Sequence, residues 1–206
     1  MVIKENDMSV NFIKTIDIDD KLIAWHELDI ISSTMDFAKR LVKKSCSHWT
    51  LITAKEQKSG RGTHGRSWIS PQGKGLLLSL IVPPPCAAEN LEHLSIRTAR
   101  ALVKTLKELY DLPFEVKHPN DVRVSGRKIA GILFESVTRG EEVISLILGM
   151  GLNLNQTEED FEKAGLTEST SLFIEAGYIP ELESLLKIFL MHFKQMYVDY
   201  RHSTIA

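Results

Sequence analysis

Three stretches of the chain concentrate side chains able to handle an anion. Residues 60–66 read GRGTHGR. Its three glycines let backbone N–H groups approach a ligand closely, and Arg61 and Arg66 add guanidinium forks suited to phosphate or carboxylate. Residues 116–121 read VKHPND, where Pro119 fixes the backbone and Lys117, Asn120 and Asp121 are polar groups at a strand end. Further on, Lys128 heads RKIAGIL as the first polar group of an otherwise apolar strand, the position for a charge aimed into a site. GMGLNLN at 149–155 adds two glycines within a strand, which mark close backbone approach or a bulge. Each feature also has a plainer reading: a solvated basic turn for the loop, a snorkelling surface lysine for Lys128, a turn cap for Asp121, and ordinary core for Trp68.

The glycine spacing fits two familiar phosphate-binding patterns, and the residues that follow exclude both. The dinucleotide fingerprint G-x-G-x-x-G and the P-loop each need a helix N-terminus directly after the glycines to receive the phosphate. Here the chain continues SWISPQGKG, in which Pro71, Gly73 and Gly75 break any helix, and Lys74 comes too late to serve as the P-loop lysine. The acidic residue that a dinucleotide fold needs about 20 positions further on is also missing, the next acid being Glu89.

These residues must be held by surrounding elements. Strands are expected at 21–30, 50–57, 75–82 and 141–155, with two more around a Ser125-Gly126 turn within 114–137. Helices are expected at 32–44, with Ser33 or Thr34 as cap, at 90–109 from its apolar spacing, and after Pro180. Residues 1–20, polar and acidic at their end, are expected as a loosely held lead-in to a single domain at 21–206. Strands outnumber helices, and the short turn implies antiparallel pairing, so the expectation is an α+β layer fold with a mixed, largely antiparallel sheet packed by helices.

Composition bounds the function. With 206 residues, 43% hydrophobic and 25% charged, the chain can bury a real core. A formal net charge of -2 gives no basic face for bulk nucleic-acid binding. No apolar run is long enough to span a bilayer or to act as a signal peptide, so a cytoplasmic protein without membrane contact is expected. Cys46 and Cys86, too few for a disulfide framework and without metal-ligand spacing, are expected as reduced bystanders.

Together the stretches resemble the biotin–protein ligases. That family's glycine loop, GRGRxGRxW, corresponds to GRGTHGRSW ending on Trp68. Its KWPND corresponds to Lys117-His118-Pro119-Asn120-Asp121, its KxAGIL to Lys128–Leu133, and its GxGxN to Gly149, Gly151 and Asn153. The STN opening its first helix corresponds to Ser33-Thr34-Met35, and Gln57 precedes the loop as in the family. The resemblance implies a fold like the class II aminoacyl-tRNA synthetase and biotin ligase core. It also implies an enzyme that uses ATP and Mg²⁺ to convert biotin to biotinyl-5′-AMP and then transfers it to a lysine of a biotin carboxyl carrier protein, a subunit of acetyl-CoA carboxylase.

By the same resemblance Lys128 bridges the biotin carboxylate and the α-phosphate, while Arg61 and Arg66 hold the carboxyl–phosphate region and the pyrophosphate. Ser33, Thr34, Gln57, Gly60, Gly131 and Leu133 line the biotin pocket. Thr63, Trp68, Lys117, Asn120 and Asn153 belong to the adenylate side, and Asp121 supports metal or the attacking lysine. Thr63 stands where the family has a second loop arginine, with His64 beside it as partial compensation when protonated. Met35 stands in place of Asn, and His118 in place of Trp. The lead-in is too short for the winged helix-turn-helix of DNA-binding relatives, so no DNA partner is expected. The chain also stops before the small SH3-like domain with which relatives usually end. Family analogy further allows a homodimer through a sheet edge. Two other classes share the fold: a lipoate or octanoate ligase or transferase, whose glycine signature differs, and a non-catalytic biotin- or adenylate-binding module.

Overall fold

The β-branched and aliphatic runs of the sequence assemble into one eight-stranded sheet, in a computed structural model that describes residues 10–19, 21–84 and 91–203. The strands are β1 (Val10–Ile18), β2 (Lys21–Ile31), β3 (Thr50–Gln57), β4 (Gly75–Val82), β5 (Glu115–Lys117), β6 (Asp121–Val124), β7 (Arg127–Arg139) and β8 (Glu142–Asn153). They run in the order β1-β2-β3-β4-β8-β7-β6-β5. All neighbours pair antiparallel except β2 and β3, whose connection passes through helix α1 (Thr34–Lys43). The α+β expectation therefore holds.

Alternation along the central strands sends side chains to two different cores. Leu51, Leu78, Leu80, Leu146 and Leu148 face α2 (Leu91–Leu109) and α5 (Leu182–Ser203) in the larger core. Ile52, Ile81 and Ile147 face the other way, into the smaller core beneath α1 with Phe37, Ala38 and Leu41. The helices thus cover both faces of the sheet, and α1 covers only part of its own. Two short helices, α3 (Glu158–Lys163) and α4 (Leu172–Ala176), complete the fold; neither was expected from the sequence.

Two sequence expectations need correcting. Within the supposed lead-in, Val10–Ile18 forms strand β1, antiparallel to β2 in the sheet. Ile16 and Ile18 bury completely on either side of Asp17, a period of two that the polar composition around it masked. The stretch 114–137 makes three strands, because residues 118–120 turn the chain between β5 and β6. Cys86 and the start of the helix expected at Asn90 lie outside the described residues, as does the side chain of His64. No helix among the described residues is long and apolar enough to cross a membrane.

Candidate active site

On the α1 face, β7 and β8 lie side by side with Gly131 opposite Gly151 and Leu133 opposite Gly149. The glycines leave a hollow where a regular sheet would raise side chains. A cavity of about 230 Å³ opens there, roofed by Arg61, Gly62, Thr63, Arg66 and Ser67 and walled by the start of α1. Trp68 lies on the floor itself: a Cβ added at Gly151 would stand 2.2 Å from its Cε2, and one at Gly131 would stand 2.9 Å from its Cζ3. The close backbone approach expected at 149–155 is therefore an aromatic ring seated on glycine. The same tryptophan is therefore not plain core: it lines the cavity.

Lys128 reaches this cavity through an irregularity in the sheet. Val122 pairs with Ala130 while Arg123 pairs with Lys128, so β7 carries one extra residue there. Ile129 and Ala130 both face the larger core, at 0% exposure each. Without that bulge, strict alternation would point Lys128 into the core with Ala130 and Ile132; with it, Lys128 joins Gly131 on the cavity face. Its Nζ is 2.6 Å from Asp121 Oδ1 and 5.6 Å from the centroid of a Trp68 ring. The side chains of Lys128 and Asp121 keep 26% and 17% exposure, which favours site geometry over surface snorkelling.

The glycine loop folds as a tight hairpin with no helix behind it. Trp68 N donates to Gly60 O, Gly62 N to Arg66 O, and a single 3₁₀ turn at Thr63–Gly65 makes the bend. Gly60 is required by contact, since a Cβ there would stand 2.5 Å from the Trp68 carbonyl oxygen. Arg61 turns inward, donating to Asp36 Oδ2 and Oδ1 at 2.8 and 2.9 Å and to Glu135 Oε1 at 3.3 Å. The guanidinium holds the Asp36 carboxyl below its ordinary pKa range, and the two acids raise that of Arg61. Lys39 pairs with Glu135 at 2.5 Å, completing a set of two cations and two carboxylates that ties loop, α1 and β7 together. The Arg66 side chain stays exposed, its guanidinium donating to the Thr63 carbonyl oxygen and hydroxyl.

The remaining expected residues divide cleanly. Ser33 caps α1, its Oγ accepting from Asp36 N at 3.5 Å, and Thr34 donates from both N and Oγ1 to Gln57 Oε1 at 2.7 and 3.0 Å. All three line the cavity together with Leu133. Asn120 and Asn153 also reach it, but their amides bond inward, to Ile132 O and Thr170 O at 2.9 Å each. Lys117 is exposed on β5 and is not part of the lining. Asp121 and Gly60 stand just behind it, acting through Lys128 and Trp68. Sequence reasoning missed Leu166 and Ser169, which close the side next to Lys128. Lys128 N donates to Glu168 O and Thr170 N to Lys128 O, adding a short parallel bridge to β7. That segment is aperiodic in sequence, so no pattern signals it.

A comparison with known families matches residues 27–153 to the biotin/lipoate A/B protein ligase family. The chain belongs to that family. Among curated relatives, the bifunctional ligase/repressor BirA of Bacillus subtilis is 33% identical over 172 residues, covering 84% of this chain and 53% of that protein. The biotin--[acetyl-CoA-carboxylase] ligase of Paracoccus denitrificans is 34% identical over 147 residues, covering 70% of this chain and 60% of that one. The chain thus spans about half the length of the curated relatives it matches. Among solved structures, the biotin protein ligase from Aquifex aeolicus in complex with biotin and ATP matches with a TM-score of 0.72 at 28% identity. It covers 86% of this chain and 72% of that chain. The family match encloses β3, the loop, Lys128 and all three floor glycines, so most of the cavity lies within the matched segment, with Leu166 and Ser169 beyond it.

Proposed function

We propose that this chain activates biotin with ATP and transfers it to a lysine of a biotin carboxyl carrier protein, in the cytoplasm where ATP and that carrier meet. The observation that carries the reading is the bulge that brings Lys128 beside Asp121, Trp68 and the glycine loop in one cavity. In the first step a carboxylate oxygen of biotin forms a bond to the α-phosphorus and the bond to pyrophosphate breaks. In the second, the carrier lysine nitrogen bonds to the carbonyl carbon of the mixed anhydride, AMP leaves with the electron pair, and the amine loses its proton. The first step brings two anions together, so a fixed cation between them and alignment of the groups are the main requirements. Asp121 keeps the ammonium of Lys128 in place, at the cost of neutralising part of its field.

The phosphates suit the exposed Arg66 and the backbone N–H groups of the loop. Arg61 is committed to Asp36 and Glu135, so its role is to fix the loop against α1 and β7. No group of three or more His, Cys, Asp or Glu among the described residues could hold a metal ion. Asp121, beside Lys128, would offer a carboxylate to a magnesium ion arriving with ATP, which would supply charge neutralisation at the phosphates.

The test combines purified protein, ATP, Mg²⁺, labelled biotin and a carrier domain. Label should pass to the carrier, and Lys128→Ala should slow this by at least about a hundredfold, as expected for a lost transition-state charge contact. If the unaltered chain forms neither adenylate nor labelled carrier, the reading is refuted.

A further inference from the structure

The two floor glycines of β8 carry different covers. Over Gly151 lies Trp68, near Lys128. Over Gly149 lies Met35: a Cβ added at 149 would stand 2.6 Å from its Sδ, 3.1 Å from Cγ and 3.3 Å from Cε. Met35 fills the place that a side chain at 149 would take. It is 4% exposed, lines the cavity, and packs into the smaller core with Phe37 and Ile147.

The positions can be ordered along the strands. Lys128 Nζ lies 3.5 Å from the Cβ position of Gly131, whose partner is Gly151. Gly149 is the next same-face position on β8, about 7 Å away at the strand's rise per residue. Met35 therefore stands at the end of the cavity remote from Lys128. The polar groups beside it are largely engaged with each other: Thr34 donates to Gln57, and Ser79 Oγ donates to Thr34 Oγ1 at 2.8 Å. What Met35 adds there is an apolar, unbranched wall of adjustable shape.

We propose that Met35 closes the cavity at its far end and determines the length of the carboxylic acid that fits between it and Lys128. The proposal rests on the ligase reading only in placing the carboxylate at the Lys128 end. Removing the Met35 side chain beyond Cβ deepens the cavity by roughly three heavy atoms. One methylene in an apolar pocket typically discriminates by about 10- to 200-fold. Gly149→Ala acts in the opposite sense, since its Cβ drives Met35 further into the cavity.

The experiment measures binding of hexanoate, octanoate, decanoate and biotin by equilibrium dialysis, together with acid-dependent ATP–pyrophosphate exchange. Circular dichroism confirms that each variant is folded. The decanoate-to-hexanoate affinity ratio is expected to rise at least about tenfold in Met35→Ala and to fall at least about tenfold in Gly149→Ala. Ratios within about threefold of the unaltered chain in both variants overturn the proposal. Biotin scores the ligase reading separately. If the unaltered chain rejects biotin but the ratios shift as stated, that reading falls and the depth assignment stands. If no acid binds, both fall.

Discussion

Gly151→Ala is the sharpest perturbation the cavity floor offers. The three atoms nearest to an added Cβ at 151 all belong to Trp68, at 2.2, 2.5 and 2.6 Å. Real Cβ contacts stop near 3 Å, so something must move. Gly151 is paired on both sides, to Leu77 on β4 and to Gly131 on β7, and the strand cannot retreat. The indole must therefore leave the floor. Overpacking of this kind costs about 1–3 kcal/mol. Against it stands a gain of about 0.5–1 kcal/mol from replacing glycine within a strand. The net destabilisation of the single variant should be about 0–2.5 kcal/mol.

A double-mutant cycle isolates the steric part. In a Trp68→Ala background the clash is gone, and Gly151→Ala should become stabilising by about 0.5–1 kcal/mol. The coupling between the two positions is then about 1–3 kcal/mol, read from urea unfolding with unchanged m-values. Displacement of the indole should also shift the tryptophan emission of Gly151→Ala, with Trp25 and Trp49 as a constant background. A coupling below about 0.3 kcal/mol, or a cost that persists without Trp68, would refute the claim that the floor is shaped by this one ring.

Two further outcomes follow from the loop. The Asp36 carboxyl has its pKa lowered chiefly by its hydrogen bonds from Arg61, so its contribution to stability is present above the ordinary value of about 3.9 and is lost as pH falls through the depressed folded value. The stability difference between the unaltered chain and Asp36→Asn should therefore shrink steadily below about pH 4 in acid urea titrations; a difference constant from pH 6 to pH 2 would show that the bidentate contact is not formed in solution. Thr63, whose hydroxyl accepts from Arg66, stands where the resemblance to the biotin–protein ligases implies a second loop arginine, and the next outcome rests on the proposed ligase reading. Thr63→Arg should slow release of biotinyl-adenylate by roughly tenfold or more, the equivalent of one charge-assisted hydrogen bond of about 1.5–3 kcal/mol. An unchanged dissociation rate in a stopped-flow chase would count against this.

The parts of the fold that follow from local rules were legible. β3 spans 50–57 and β4 spans 75–82 as the β-branched runs and proline stops require, and Ser33 caps α1 as its side chain allows. The rejection of both phosphate fingerprints also holds, because the loop returns on itself at Trp68 and no helix follows. What depended on tertiary partners was not legible. Nothing local marks the bulge at Ile129, whose cause is the core that claims two successive residues. The partners of the Arg61 guanidinium, Asp36 and Glu135, lie far from it in sequence and are invisible to motif reading. Asn120 and Asn153 matched a ligand-binding pattern, yet each uses its amide nitrogen to bond a backbone carbonyl on a neighbouring segment.

Three departures from a regular sheet together make the cavity, and none suffices alone. The glycines at 131, 149 and 151 remove side chains from the floor, but an empty hollow in an apolar face would simply be filled by α1. Asp36 and Glu135 prevent that by binding Arg61, which holds the loop out over the hollow as a roof and seats Trp68 across the floor at one end. The bulge then turns one charge into the space. An ammonium placed there without a partner would carry a large desolvation cost, and Asp121, from the neighbouring strand, offsets it at 2.6 Å. The same pairing fixes Lys128 to a rigid strand, so the cation is already in position before any anion arrives. Pre-organisation of that kind is what the proposed adenylation step would gain most from, because a charge that need not reorient stabilises the transition state without a reorganisation cost.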